Sequence, residues 1–181
     1  MVLRKAFYYL CNMFRFSFLK VVKRYKGSVL QVIPLSTEVK VEKGASLCLE
    51  GRLSCRNNCY ISSSGMLSIK KGCFINCNVQ IVSLEKIQIG EDVIVGPNVV
   101  IVDHDHDYKS TDRKHLFNSS PIIIGDNVWI GANSVIMKGT IIGNNSVIAA
   151  GTTIKGKYPD NSLIYQEKET RVREIEEGKD V

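Results

Sequence analysis

Ile124-Gly-Asp-Asn-Val-Trp-Ile-Gly-Ala-Asn-Ser-Val-Ile136 places an aliphatic residue at every sixth position, with Gly125 and Gly131 directly after the first two. Four residues beyond each aliphatic stands a small or β-branched residue: Val128, Ser134 and then Thr140. A helix repeats about every 3.6 residues and a plain strand every 2, so neither produces this period. Each six-residue unit is therefore a short strand plus a corner, and the chain must coil. The spacing continues forward through Ile142, Ile148 and Ile154 and backward through Ile101, Val95 and Ile89, then more weakly through Ile81, Ile75 and Ile69. Three units make an 18-residue turn. Stacked turns bury one continuous aliphatic column and pair each strand with the coils above and below, so stability comes mainly from neighbour-to-neighbour contacts.

The remainder of the chain is read against this lattice. A length of 181 residues suits one domain. The expected division is a basic amphipathic segment over 1–30, a β-helix over 31–160 and a C-terminal extension over 161–181. Net charge is +6, and residues 1–37 hold Arg4, Lys5, Arg15, Lys20, Lys23, Arg24 and Lys26 with no acidic residue. Phosphate-bearing partners suit such an excess. No stretch reaches the roughly 20 apolar residues of a membrane span, and no signal-peptide layout is present, which gives the cytoplasm as the default compartment. Cys55 and Cys73, and Cys59 and Cys77, are each one 18-residue turn apart, so each pair is expected to stack in adjacent coils. Their spacing also resembles a four-thiolate zinc site. Small buried thiols in register is the favoured reading, with no metal required.

Ile124 to Ile136, Gly143-Asn-Asn-Ser-Val-Ile-Ala-Ala-Gly151 and Asp103-His-Asp-His106 together resemble the hexapeptide-repeat acetyltransferases. The similarity is to the maltose and galactoside acetyltransferase branch and the bacterial capsule and O-antigen O-acetyltransferases. It spans about residues 65–175. The resemblance implies a left-handed parallel β-helix, an exception to the usual right-handed crossover. It also implies acetyl-CoA as acyl donor, a homotrimer, and active sites between neighbouring chains.

Ile101 to Ile124 exceeds one 18-residue coil, so about residues 105–119 leave the lattice as a protruding loop. Asp103, His104, Asp105, His106 and Asp107 open that loop at the edge of a rigid scaffold, where reacting groups are commonly held. Transfer of an acyl group from a thioester to an alcohol needs a base for the hydroxyl proton, and an imidazole suits that task near neutral pH. His104 is the expected base and His106 the alternative. Asp103, Asp105 or Asp107 orients the imidazole. No covalent acyl-enzyme is required, because the hydroxyl can attack acetyl-CoA directly. His104, His106 and His115 do not follow the spacing of a hexapeptide-fold carbonic anhydrase, so no metal site is expected there.

Trp129 precedes an inward aliphatic and should point outward. The matching family position makes it a wall of the acceptor pocket, and packing under the loop or a neighbouring chain is the alternative. Asn76 matches an acceptor-side Asn of the galactoside enzymes, or is a corner residue in left-handed conformation. The resemblance puts the pantetheine arm of acetyl-CoA along Gly131, Ala132, Ala149, Ala150 and Gly151, whose small side chains let a thin ligand approach the backbone. Lys155, Lys157 and Arg171, with Arg173 nearby, suit CoA phosphates. The family's Thr-Lys-Asp-Ile-Pro is replaced here by Lys155-Gly-Lys-Tyr-Pro159.

Phe7, Tyr8, Leu10, Cys11, Phe14, Phe16, Phe18, Leu19, Val21 and Val22 interleave with the N-terminal cations. They predict an amphipathic helix that either caps the open end of the β-helix or lies on a membrane through residues 1–26. Nucleic acid is not an expected partner, since no basic stripe continues beyond this segment. The sequence therefore predicts an acetyl-CoA-dependent O-acetyltransferase for a sugar hydroxyl, with a carbohydrate acceptor that is free or lipid-linked at the inner face of the membrane, as in bacterial polysaccharide biosynthesis. A catalytically silent trimeric scaffold, a glycan-binding protein, and an acyltransferase for a non-sugar acceptor are the alternatives.

Overall fold

The structure, a computed structural model, describes residues 2–173, with side chains from residue 6 onward. The expected extension over 161–181 therefore falls partly outside the described residues. Its first part, Leu163–Ile164, is a strand paired with Val147–Ile148, so the solenoid runs on past residue 160. It also begins earlier than residue 31, because Tyr25–Gly27 pairs with Ser46–Leu49.

Short parallel strands form three faces of a triangular prism. The first face holds Tyr25–Gly27, Ser46–Leu49, Met66–Ile69, Lys86–Ile89, Ile122–Ile124, Ile141–Ile142 and Lys157–Tyr158. The second holds Ser54–Cys55, Phe74–Ile75, Ile94–Val95, Trp129–Ile130, Val147–Ile148 and Leu163–Ile164. The third holds Glu38–Val41, Tyr60–Ser63, Gln80–Ser83, Val100–Val102, Val135–Met137 and Thr153–Ile154. The aliphatics of the repeat fill the axis: Ile75, Ile81, Val95, Ile101, Ile130, Ile136 and Ile148 are all buried.

The coil is not 18 residues long throughout. Ile123 pairs with Ile141, 18 residues on, but Leu67 pairs with Ile87 and Ile61 with Ile81, both 20 residues on. The extra pair sits where the third face turns into the first. That unit is eight residues from Ile81 to Ile89 and six from Ile136 to Ile142, because the longer strands of the lower coils turn two side chains inward instead of one. The weaker early phase of the repeat is this insertion. It also corrects the cysteine register: Cys55 stacks on Ile75 rather than Cys73, and Cys73 lies directly before Phe74, whose partners are Ser54 and Ile94. Cys55, Cys59 and Cys73 are buried free thiols, and among the described residues no cluster of three or more His, Cys, Asp or Glu is placed to hold a metal ion.

Two devices fix the corners. Asn78, Asn98 and Asn133 hold positive φ near 58°, which Asn tolerates better than most residues. Their amides form a ladder along the axis, Asn78 Nδ2 donating to Asn98 Oδ1 at 3.1 Å and Asn98 Nδ2 to Asn133 Oδ1 at 3.0 Å. Asn127 and Asn145 begin a second ladder at 3.0 Å. Asn76, read from sequence as a left-handed corner residue, is not among the positive-φ residues; Asn78 holds that conformation, and Asn76 Oδ1 instead accepts from the Cys77 amide at 2.9 Å. The glycine after each inward aliphatic answers to coil stacking. A Cβ on Gly131 would lie 2.5 Å from the Ala150 nitrogen, and one on Gly96 2.7 Å from the Ala132 nitrogen.

The helix Val2–Val21 closes the lower end of the prism. Its Phe16 ring packs on Tyr25 at 4.7 Å, Leu19 is buried beside it, and Asn12 Nδ2 donates to the carbonyl of Ile33 at 2.8 Å. A solenoid end left bare would expose apolar core and unpaired strand edge, and this helix covers both. Lys23, at φ 57°, ends the helix in a left-handed turn in which the Arg24 amide returns to the Leu19 carbonyl at 2.9 Å. Among the described residues no helix is long and apolar enough to cross a membrane.

Candidate active site

Strand alternation determines which residue of the Asp-His run enters the core. Ile101 points inward and Val102 outward, so Asp103 points inward again, at the column position filled by Ser63 and Ser83 in the two coils below. Asp103 is fully buried. Its Oδ2 accepts from Ser83 Oγ at 3.1 Å and from the amides of Glu85 and Lys86 at 2.9 and 2.8 Å. Its Oδ1 accepts from the Leu84 amide at 2.7 Å. Desolvating an acidic side chain is costly unless such donors replace water, and here the turn of the coil below supplies them.

The remaining partner of Asp103 Oδ1 is His104 Nδ1, at 3.0 Å. Because the Asp103 oxygens accept, Nδ1 carries the proton and Nε2 carries the lone pair. Among the described residues Nε2 has no hydrogen-bond partner. The His104 side chain is 18% exposed and meets Phe117 edge-on, with ring centres 5.4 Å apart. It borders a cavity of about 190 Å³ lined by Val102, Val135, Ile136, Met137, Asp105 and Lys138. This is the layout of a general base: an oriented imidazole with one free nitrogen beside an apolar recess.

The protruding loop contains an antiparallel hairpin, His104–His106 with Phe117–Ser119, which the sequence did not indicate. Lys138 Nζ fastens both of its strands, donating to Asp105 Oδ1 at 2.6 Å and to the Asn118 carbonyl at 2.9 Å. His106 is exposed, with Nδ1 on the Arg113 carbonyl at 2.5 Å and its ring on Phe117 at 4.5 Å. Among the described residues no carboxylate touches His106, and it does not line the cavity. His115 is an exposed partner of Asp112 at 2.8 Å. Ser83, Phe117 and Lys138 are site residues that sequence reasoning missed. None had a sequence signal, since an 18-residue register puts Glu85 rather than Ser83 beneath position 103.

The corner between the second and third faces holds Gly131, Ala132, Ala149, Ala150 and Gly151. At the corner between the first and second faces, the amides of Glu91, Asp126 and Asn144 are each capped from the next coil, by Asp126, Asn144 and Asp160 at 2.8 Å. Alanines replace these acceptors at the other corner, so among the described residues the Ala132 and Ala150 N–H groups have no partner. Two unpaired donors one coil apart, beside the Gly151 carbonyl that accepts from Lys168 Nζ, fit the amide carbonyls of a pantetheine arm. They lie at one edge of the third face, and His104 lies at the other.

The other expected positions are dispersed. Trp129 points outward and is 54% exposed, but on the second face, in a ladder with Phe74, Ile94, Val147 and Leu163. Asn76 lines a cavity of about 380 Å³ with Tyr8, Arg56, Asn57 and Cys77. Neither shares the cavity of His104 within one chain. Lys155 is exposed directly after Ile154, the register partner of Ile136, and Lys157 is exposed on the first face. Arg171 is bound to Glu169 at 2.9 Å, beyond the last strand.

The coiled repeat with an imidazole at the mouth of its loop defines a class, the hexapeptide-repeat transferases. Residues 121–155 match the model of the hexapeptide repeat of succinyl-transferase. The galactoside O-acetyltransferase of Escherichia coli K12 is 33% identical over 147 residues, covering 77% of this chain and 72% of that protein. WbbJ of the same strain, assigned to lipopolysaccharide biosynthesis as an O-acetyl transferase, is 34% identical over 110 residues, covering 55% of this chain; the chain thus spans only 56% of that relative's length. A hexapeptide-repeat acetyltransferase of Vibrio cholerae O1 biovar eltor, solved with acetyl coenzyme A, superposes with a TM-score of 0.58 at 25% identity, over 84% of this chain and 71% of that one. The chain belongs to the hexapeptide-repeat acetyltransferase family, and its solenoid is the left-handed parallel β-helix of that family.

Proposed function

We propose that the protein is an acetyl-CoA-dependent O-acetyltransferase whose acceptor is a sugar hydroxyl, acting in polysaccharide biosynthesis. The observation that carries this reading is the 3.0 Å contact of buried Asp103 with His104 Nδ1, which leaves Nε2 free on a ring that borders a small recess. In the reaction the acceptor hydroxyl gives its proton to Nε2 as its oxygen bonds to the thioester carbonyl carbon. The carbon–sulfur bond then breaks, and the imidazolium returns the proton to the departing CoA thiolate. Asp103 holds the ring in the required tautomer and stabilises its charged form. Ala132 and Ala150 offer their amides to the pantetheine arm beside the small residues Gly131, Ala149 and Gly151, the last of which holds Lys168 on its carbonyl, and Lys155 and Lys157 meet the phosphates.

Substrate pockets typically run to about 300–1,000 Å³. The 190 Å³ recess is smaller than such pockets, which supports further walls supplied by another molecule. The exposed ladder of Ile94, Trp129 and Leu163 supports a neighbouring copy as the source, in a homotrimer. In that assembly Trp129 and Asn76 of one copy face His104 of the next.

The test is thiol release from acetyl-CoA with a panel of free and lipid-linked saccharides. Saccharide-dependent release that falls about 100-fold or more in His104→Ala but survives in His106→Ala supports the reading. Loss in His106→Ala alone transfers the role of base. Absence of CoA binding by the unaltered protein overturns the enzyme.

A further inference from the structure

The capping helix Val2–Val21 is apolar on two sides. One side, with Asn12, Phe16 and Leu19, is buried against the solenoid. On the opposite side Phe7, Leu10, Phe14, Phe18 and Val21 follow one another at three- and four-residue steps, which aligns them along one stripe. They are 55, 55, 68, 65 and 80% exposed, so nothing among the described residues covers them. A helix whose only role is to cap a solenoid presents a polar outer face. This one presents three phenylalanines.

The charges around the stripe identify its partner. Lys20 is exposed at its edge, and Lys23 and Lys26 are exposed just beyond the helix end. Arg15 borders the other edge, its guanidinium donating to the Thr37 carbonyl at 3.3 Å. No Asp or Glu occurs from residue 1 to 37. The apolar stripe is edged mainly by cations, and the acidic side chain that reaches this margin among the described residues is Glu38, which faces Arg15. A ridge of this kind inserts into the headgroup and acyl boundary of a bilayer, with its cations meeting anionic headgroups. A helix-on-helix contact with a second copy would instead set these like charges against one another.

We propose that this face of the helix seats the protein on an anionic bilayer surface, the helix lying in the membrane plane without crossing it. The inference rests on the helix alone and is independent of the acetyl transfer. It would bring the transferase to saccharides carried on lipid.

The experiment is co-sedimentation of the full chain with vesicles of phosphatidylcholine alone or of phosphatidylcholine with phosphatidylglycerol. Binding is expected only to the anionic vesicles and should weaken with salt. Phe14→Ser with Phe18→Ser is expected to lower it about tenfold or more, and Lys20→Glu with Lys23→Glu to a similar extent. All four positions are exposed, so melting temperature and solution mass should not change. Equal binding to neutral and anionic vesicles, or none to either, overturns the proposal. So does a Phe14/Phe18 double variant that keeps vesicle binding but changes solution mass, which would mean that a second copy covers the stripe.

Discussion

Asp103 stands on Ser83, one coil below it, with the serine hydroxyl 3.1 Å from Oδ2, and so continues inside the core a column that the coils beneath fill with serine. The acidic side chain is held by the solenoid rather than by the loop. Three amides of the turn 84–86 donate to it, and that turn exists because the lower coils carry two residues more at this corner than the upper ones. The longer coil thus builds the socket for the group that orients His104.

Replacing Asp103 with Asn therefore has two effects. An amide nitrogen would be turned toward backbone N–H donors or toward His104 Nδ1, so either the socket loses an acceptor or the imidazole loses the partner that fixes its tautomer. We expect kcat to fall about 100-fold or more, with the KM for acetyl-CoA changed less. Thermal unfolding should show a loss of about 2–4 kcal/mol, the usual consequence of breaking a buried polar network. A variant with unaltered kcat would remove Asp103 from the mechanism.

The unpaired amide of Ala132 gives a prediction about the cosubstrate. Asp126 caps the Glu91 amide from one coil above, and Ala150 holds the matching place above Ala132. Ala150→Asp should supply the missing acceptor and close the donor to any ligand. The expected result is a KM for acetyl-CoA raised about tenfold, the cost of about one lost hydrogen bond, with a melting temperature at or above that of the unaltered chain. A higher melting temperature with an unchanged KM would place the pantetheine arm elsewhere.

How far the sequence revealed this can be judged residue by residue. The period from Ile89 to Ile154 was sufficient for the solenoid, because a six-residue repeat has few other physical solutions. The eight-residue unit from Ile81 to Ile89 was hidden, since an added inward residue looks like a weakened phase rather than a longer coil. That hid the cysteine register as well. The hairpin was unreadable for a different reason: His104-Asp-His106 and Phe117-Asn-Ser119 show no apolar alternation, and their pairing depends on Lys138 from a later coil. His104 and Asp103 were legible as residue types at a loop mouth. Choosing Asp103 over Asp105 and Asp107 required the strand alternation that turns it inward. The separation of Trp129 and Asn76 from His104 depends on which of three faces each strand joins, and a linear spacing does not display that.

The asparagine ladder separates two contributions to corner stability. Asn98 holds φ 58° and takes part in two side-chain bonds, accepting from Asn78 and donating to Asn133. Asn98→Gly removes the bonds but suits the backbone, whereas Asn98→Ala removes them while keeping a Cβ in the left-handed region without the polar side chain that eases it, at about 1–2 kcal/mol. Alanine should therefore lower stability by about 1 kcal/mol more than glycine, measured by denaturant unfolding. Equal losses would mean that the ladder bonds dominate.

Tyr25 links the capping helix to alkaline stability. Its hydroxyl donates to the Ser28 carbonyl at 2.6 Å and accepts from Gln31 Nε2 at 3.0 Å, while its ring supports Phe16. Burial pushes its pKa up from 10.0 to about 12, with the Gln31 hydrogen bond opposing the shift. The folded state therefore binds this proton more tightly than the unfolded chain does. Its contribution is complete below pH 10 and is lost as pH rises from 10 toward 12. Tyr25→Phe should cost about 1 kcal/mol at neutral pH through the two lost hydrogen bonds. It should also flatten the fall of melting temperature across that alkaline window, because the remaining ring has no proton to release. If the variant loses stability above pH 10 as steeply as the unaltered chain, another group governs the alkaline limb, and the link between Tyr25 ionisation and release of the helix is wrong.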